Sequence, residues 1–250
     1  MRFLDNFKKD KLIIAHRGFK SFYVENSLEA LIKSSLDSDF IEFDIQFTKD
    51  YIPIIHHDET LKRMSNIQDI KKFKAYKPWF IKDFNFSEIQ NLNIKGTKLS
   101  TLSEFLNIAR EKNIFFNLEI KKLPKNINKI KAIDIIIQKI EYYNCSKLVL
   151  FSSFKHEYLE IINNYKKDYA IGVLDENTKR ENLVGYLKKL NAQTYNINKE
   201  LISKKQIKKL KKEKIETFVY TINNKKSIDK VLKKGVKGVF TDYPYKLFKD

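Results

Sequence analysis

Short apolar runs alternate with longer amphipathic stretches from one end of this chain to the other, and no other feature narrows its fold so far. The runs fall at 12–15, 40–48, 114–120, 147–151, 169–174, 192–197, 217–221 and 238–241. The amphipathic stretches fall at 27–36, 102–112, 127–143, 157–165, 181–190, 203–214 and 227–234. The short runs read as strands and the stretches as helices, which predicts a parallel sheet with helices outside it. Eight strands within 250 residues predict closure into a (β/α)8 TIM barrel rather than an open sheet. At 42% apolar residues the chain can fill one full-sized core, and six glycines and four prolines leave no interdomain linker. Residues 1–250 are therefore expected to form a single barrel domain, with a short insertion after the second strand at about 60–100.

In such barrels the chemistry sits at the C-terminal ends of the strands. The segment 40–61, FIEFDIQFTKDYIPIIHHDETL, opens as a buried strand that places Glu42, Asp44 and Gln46 on one face. Buried carboxylates are costly unless they are paired or bound to a metal. A second apolar run, 52–55, then delivers His56, His57 and Asp58. Carboxylates and imidazoles converging in one segment suggest a metal site with an acid–base group beside it; the alternative is a strand whose acids pair with lysines at a solvated barrel end. Other strand ends are polar too: His16-Arg17-Gly18, then Asn117, Glu119 and Lys121 on one face, Ser152-Ser153, Tyr220-Thr221 followed by Asn223, and Thr241-Asp242. Glu42, Asp44 and Glu119 offer hard oxygen ligands suited to Mg2+ or Ca2+, with Mn2+ a further fit. Arg17 and Lys121 supply positive charge for an anionic group, and His16 and His57 can divide base and acid duties. Together these groups describe the hydrolysis of a phosphodiester.

The segments IIAHRG, VENSLEA, IEFDIQFTKD, HDETLKR, TLSEFL, NLEIK, SSF, YTIN and GVFTDYP occur in this order, and through them the chain resembles the glycerophosphodiester phosphodiesterase family. HRG alone is a weak signal, whereas HRG followed by EN, E-x-D, HD and E-x-K is a strong one. The resemblance implies that His16 and His57 are the catalytic pair, that Glu42, Asp44 and Glu119 bind the metal, and that Arg17 and Lys121 contact phosphate. It makes Glu25 and Asn26 supporting residues at the mouth, and it implies glycerol 3-phosphate and an alcohol such as choline or ethanolamine as products. Tyr220 stands where the family usually has tryptophan, in the wall of the substrate pocket. The turn after Asp50 lacks the usual glycine, and Val24 and Ser100 replace common prolines. Because neighbours on a strand face opposite ways, only one of His56 and His57 can enter the site. The His-Asp pattern selects His57, leaving His56 packed or hydrogen-bonded, and His156 reads as a surface residue.

The formal charge of +18 admits nucleic acid, an anionic membrane or small acidic substrates as partners. The densest run, KKQIKKLKKEK at 204–214, sets Ile207 and Leu210 as one helical stripe among lysines, which is the pattern of a solvated face. It carries no aromatic residues on which bases could stack. No uncharged apolar span approaches transmembrane length, and the run 12–15 is too brief for a secretory core. Cys145 is the only cysteine, so no intrachain disulfide can form. A soluble cytoplasmic enzyme is expected, acting on a small glycerophosphodiester, with no nucleic-acid partner and no stable membrane insertion. Two rivals are a lysophospholipase D-type enzyme working at a membrane surface and a basic nucleic-acid-binding barrel without catalysis. The insertion carries Phe73, Tyr76, Trp79, Phe80, Phe84 and Phe86, which either form a small satellite core or wall the leaving-group pocket. These rings are interleaved with charge, which predicts a preference for deacylated substrates over lysophospholipids.

Overall fold

The computed structural model describes residues 2–176 and 180–244. Its sheet has nine strands: β1 (Leu12–Ala15), β2 (Phe40–Phe47), β3 (Pro53–Ile55), β4 (Phe116–Ile120), β5 (Val149–Ser153), β6 (Ala170–Asp175), β7 (Ala192–Asn198), β8 (Glu216–Tyr220) and β9 (Gly238–Thr241). Eight of these run parallel and close on themselves through β1–β9 and β1–β2, giving the expected (β/α)8 barrel. β3 is outside the barrel, paired antiparallel to β2 as a hairpin. The eight apolar runs all became barrel strands. β3 escaped the strand pattern because it is three residues long and starts with a proline, which sheets admit at edges and first positions.

The helices that return the chain are α1 (Leu28–Ser34), α3 (Leu102–Lys112), α4 (Lys129–Tyr142), α5 (His156–Tyr165), α6 (Leu183–Lys189), α7 (Lys204–Lys212) and α8 (Lys225–Lys233), with the single-turn α2 (Phe86–Ile89) inside the insertion. Their starts were written locally. Thr101 caps α3 and Glu104 returns the bond, while Ser27, Asn128, Asn182, Ser203 and Asn224 cap their own helices. None of the helices among the described residues is long and apolar enough to cross a membrane.

Period-two alternation divides each strand between two cores. Outward residues such as Ile41, Phe43, Phe116, Leu118 and Val173 pack beneath the helices. Inward residues Leu12, Ile14, Phe40, Leu150, Phe218 and Phe240 fill the lower lumen, which Phe3 and Leu4 of the N-terminal 3-10 turn plug from below. Gly238 is required there, since a Cβ would lie 2.7 Å from the Phe218 ring. Higher up the lumen turns polar: Asn117, Ser152, Thr194 and Asn196 are buried with side-chain atoms lacking hydrogen-bond partners.

The insertion holds a separate apolar core of Ile54, Leu61, Phe73, Trp79, Phe84 and Ile89, among others. Trp79 is 5% exposed, and its indole N–H donates to the Phe73 carbonyl at 2.8 Å. Of the two readings of these rings, the satellite core is the one observed.

Candidate active site

The turn after β1 opens the site. Arg17 has φ of +48°, and this left-handed backbone turns its N–H onto Glu42 Oε2 at 2.9 Å. Gly18 follows at φ +74°, and a Cβ there would lie 2.7 Å from Ala30 on α1. Only glycine lets this turn lie flat on the helix.

Glu42 and Asp44 from β2 and Glu119 from β4 then converge, one oxygen of each lying within 4.8 Å of the others. Their convergence follows from register, for Glu42 stands opposite Asn117 and Asp44 opposite Glu119. Lys121 Nζ lies 2.7 Å from Glu119 and 3.4 Å from Asp44, and Arg17 Nε lies 3.3 Å from Asp44. Burial raises Asp44, but the charges of Lys121 and Arg17 outweigh it and hold the carboxyl below its ordinary range. Burial pushes Glu42 well upward, reinforced by the charges of Asp44 and Glu119. Glu119 is pushed up to about 7 by burial and Asp44, against the pull of Lys121. Three carboxylates this close share too little positive charge, and Glu42 Oε1 is buried without a partner. A divalent cation would supply both the missing charge and the missing contact, so the donor set fits a hard metal ion.

Each imidazole has its own carboxylate. His16 Nδ1 lies 2.6 Å from Asp242 Oδ1, and His57 Nδ1 lies 2.7 Å from Asp58 Oδ1. A carboxylate accepts, so in the neutral ring Nδ1 carries the proton and Nε2 is left as a base. Burial lowers the pKa of both; Asp242 opposes this for His16, and Asp44 opposes it for His57. His16, Arg17, Glu42, His57, Glu119, Lys121 and Tyr220 all line one cavity of about 360 Å³. Asn26 and Glu25 stand behind it: the Asn26 amide donates to Asp44 at 3.0 Å, and Glu25 accepts from Arg17 at 3.1 Å. His56 is buried and packed against the Thr60 carbonyl, 3.2 Å from Nε2, outside the cavity.

A sequence model of the glycerophosphoryl diester phosphodiesterase family matches residues 16–246, from the first histidine of this cavity to beyond the carboxylate that holds it. The chain belongs to this family. The glycerophosphodiester phosphodiesterase of Caldanaerobacter subterraneus subsp. tengcongensis is 30% identical over 246 residues, 93% of this chain and 94% of that one. That of Bacillus altitudinis is 30% identical over 241 residues, with the same coverage. Among solved structures, an Oleispira antarctica phosphodiesterase in complex with the product sn-glycerol-3-phosphate matches with a TM-score of 0.86 at 22% identity, over 99% of this chain and 98% of that one. A glycerophosphodiester phosphodiesterase from Parabacteroides distasonis matches at 0.81 and 20% identity, over 96% of both. These likenesses show the shared barrel.

Several residues of this glycerophosphoryl diester phosphodiesterase site were given no role by sequence. Asp242 was marked by its place at a strand end and by the segment GVFTDYP, but not as the partner of His16. The β1–β9 register, Ala15 opposite Thr241, is what brings it beside His16. Asn223 fixes it in turn, accepting the Asp242 N–H at 2.9 Å and donating to Oδ2 at 2.7 Å. Arg63 bridges Asp58 and Glu25 with bonds of 2.6 Å to each; it closes the segment HDETLKR, but sequence assigned it no role of its own. The wall beside Tyr220 comes from Phe154, Leu174 and Glu176, not from the insertion. Phe154 meets Tyr220 edge-on at 5.9 Å. His156 departs from its surface reading: it is half-buried, with Tyr186 Oη 2.6 Å from Nδ1 and the Leu174 carbonyl 2.7 Å from Nε2.

Proposed function

We propose that this barrel hydrolyses glycerophosphodiesters to glycerol 3-phosphate and an alcohol, with a divalent cation held by Glu42, Asp44 and Glu119. The observation that carries the reading is the pairing of a buried acidic triad, one oxygen of it unpartnered, with two carboxylate-held imidazoles in the same cavity. Mg2+ and Ca2+ suit the all-oxygen donor set, and such an ion would neutralise charge on the phosphoryl oxygens. Arg17 and Lys121 would grip the non-bridging oxygens, exchanging part of their present contact with Asp44 for the substrate. One of His16 and His57 removes the proton of the attacking oxygen through Nε2, and the other, protonated, gives its proton to the departing alkoxide. Asp242 and Asp58 keep each ring in the tautomer that leaves Nε2 facing the cavity. Glu25 and Asn26 hold Arg17 and Asp44 in place, and Tyr220 with Phe154 would flank the alcohol.

Phe73, Trp79 and Phe84 of the insertion are buried in their own core with Phe86 packed against it, which favours the deacylated substrate over a lysophospholipid. Cys145 is buried as a free thiol, which fits a reducing, cytoplasmic setting and a single catalytic domain without disulfides. The test is phosphate-ester hydrolysis across a panel of glycerophosphodiesters and lysophospholipids, with and without chelator. Equal turnover with and without chelator would sink the metal role. Turnover confined to lysophospholipids would sink the substrate assignment.

A further inference from the structure

A cavity larger than the catalytic one lies at the end of the barrel away from the proposed chemistry. It encloses about 660 Å³ among the loops that enter β5, β6, β7 and β8, with the N-terminal segment as its remaining side. Six cationic side chains line it, Arg2, Lys147, Lys166, Lys167, Lys188 and Lys214, against two carboxylates, Asp168 and Glu213. Glu213 is taken by Lys188 at 2.5 Å, and Lys166 lies 4.0 Å from Glu141. Among the described residues Arg2, Lys147, Lys167 and Lys214 have no ion pair, so the cavity keeps a surplus of positive charge. This differs from the lysine-rich face of α7, where the charges fan outward into solvent rather than around a hollow.

Two features make the hollow a formed one. Its walls are tied across: the Arg2 guanidinium donates to the Lys214 carbonyl at 2.6 Å, and the Asn191 amide donates to the Lys167 carbonyl at 2.6 Å. At its floor the β6–β7 ladder slips, with Ile171 opposite Ala192 but Gly172 opposite Thr194. The residue left over is Gln193. Such a bulge re-aims a side chain, and here Gln193 lines the cavity, 8% exposed, with its Oε1 buried and lacking any hydrogen-bond partner. A buried carbonyl oxygen left unpaired is costly, and it is satisfied only by a donor. Phe3, Tyr169 and Ile215 add a small apolar floor around it.

We propose that this N-terminal mouth is a second binding site, for a phosphorylated polyol: the phosphate meets the cationic rim and a hydroxyl of the ligand donates to Gln193 Oε1. Inorganic phosphate alone answers the charge but leaves the amide and the floor unused. A neutral polyol answers the amide but not the charge. The volume accommodates a pentose phosphate, and D-ribose 5-phosphate is the probe of choice. The site shares no residue with the catalytic cavity, so the inference stands independently of the proposed reaction.

Calorimetric titration of the full chain with D-ribose 5-phosphate, inorganic phosphate and D-ribose tests it. Ribose 5-phosphate should bind at least tenfold more tightly than phosphate, and ribose should give no heat. The double variant Lys147→Ala/Lys167→Ala changes exposed side chains only, and it should weaken binding at least tenfold. Gln193→Glu, which keeps the side-chain size but opposes an anion, should do the same. Lys121→Met, on the far side of the barrel, should leave this binding unchanged. Equal affinity for phosphate and ribose 5-phosphate would remove the polyol from the proposal. Binding lost in Lys121→Met but kept in the lysine double variant would move it to the catalytic cavity and overturn the second site.

Discussion

His16 and His57 each give Nδ1 to a carboxylate and present Nε2 to the cavity, so both are expected to carry proton transfer. Replacing either by alanine should lower kcat at least about 10²-fold, with the circular dichroism spectrum of the parent retained. The pH profile separates their duties. Asp242 opposes the burial that lowers the His16 pKa, so Asp242→Asn removes an anion that favours the imidazolium and drops that pKa further. The limb of the rate profile belonging to His16 should therefore move to lower pH. Movement of the acid limb marks His16 as the base, and movement of the alkaline limb marks it as the acid. A profile with both limbs in place would deny that Asp242 acts through His16. Chelation should abolish turnover, and Glu119→Gln should raise the metal concentration needed for half-maximal rate, because one unit of ligand charge is gone. An unchanged metal requirement in that variant would exclude Glu119 as a ligand.

The elements differ in how much of themselves the chain advertises. β2 and β4 were legible because period two put acids on one face and apolar residues on the other. β3 was not, being too short to show a period. The His16–Asp242 contact was not legible either: its partners are 226 residues apart and meet only through the register of a closed barrel. The turn after β1 is legible in its glycine but not in its geometry. Gly18→Ala adds a Cβ 2.7 Å from Ala30 at a left-handed φ, so it should lower stability by about 1–3 kcal/mol and cut kcat as the turn shifts His16 and Arg17. Normal kcat with normal Tm in that variant would show that the turn tolerates a side chain. Trp79→Ala tests the insertion. It empties a position that is 5% exposed within the satellite core, so chemical denaturation should register a loss of about 3–5 kcal/mol. KM should stay near that of the parent; a raised KM at unchanged stability would return Trp79 to the pocket wall.

Over the whole molecule, charge and closure have separate effects. A formal net charge of +18 draws anions from beyond the cavity. Raising ionic strength from about 0.01 M to about 0.15 M shortens the screening length from about 30 Å to about 8 Å. The kcat/KM for an anionic substrate such as glycerophosphoglycerol should fall more steeply over that range than for zwitterionic glycerophosphocholine. Parallel slopes for the two would assign the lysines to solubility alone. Closure acts on a different schedule. β1 and β9 join the two ends of the described chain, and His16 belongs to one side of that joint while Asp242 belongs to the other. On a ribosome the histidine is made long before its carboxylate, which follows the other barrel strands. A nascent or truncated chain lacking β9 has both imidazoles and all three acids, yet His16 has nothing to orient it. With His16 in its proposed role, turnover is expected to wait until β9 has paired with β1, so a chain cut before β9 should not hydrolyse phosphodiesters.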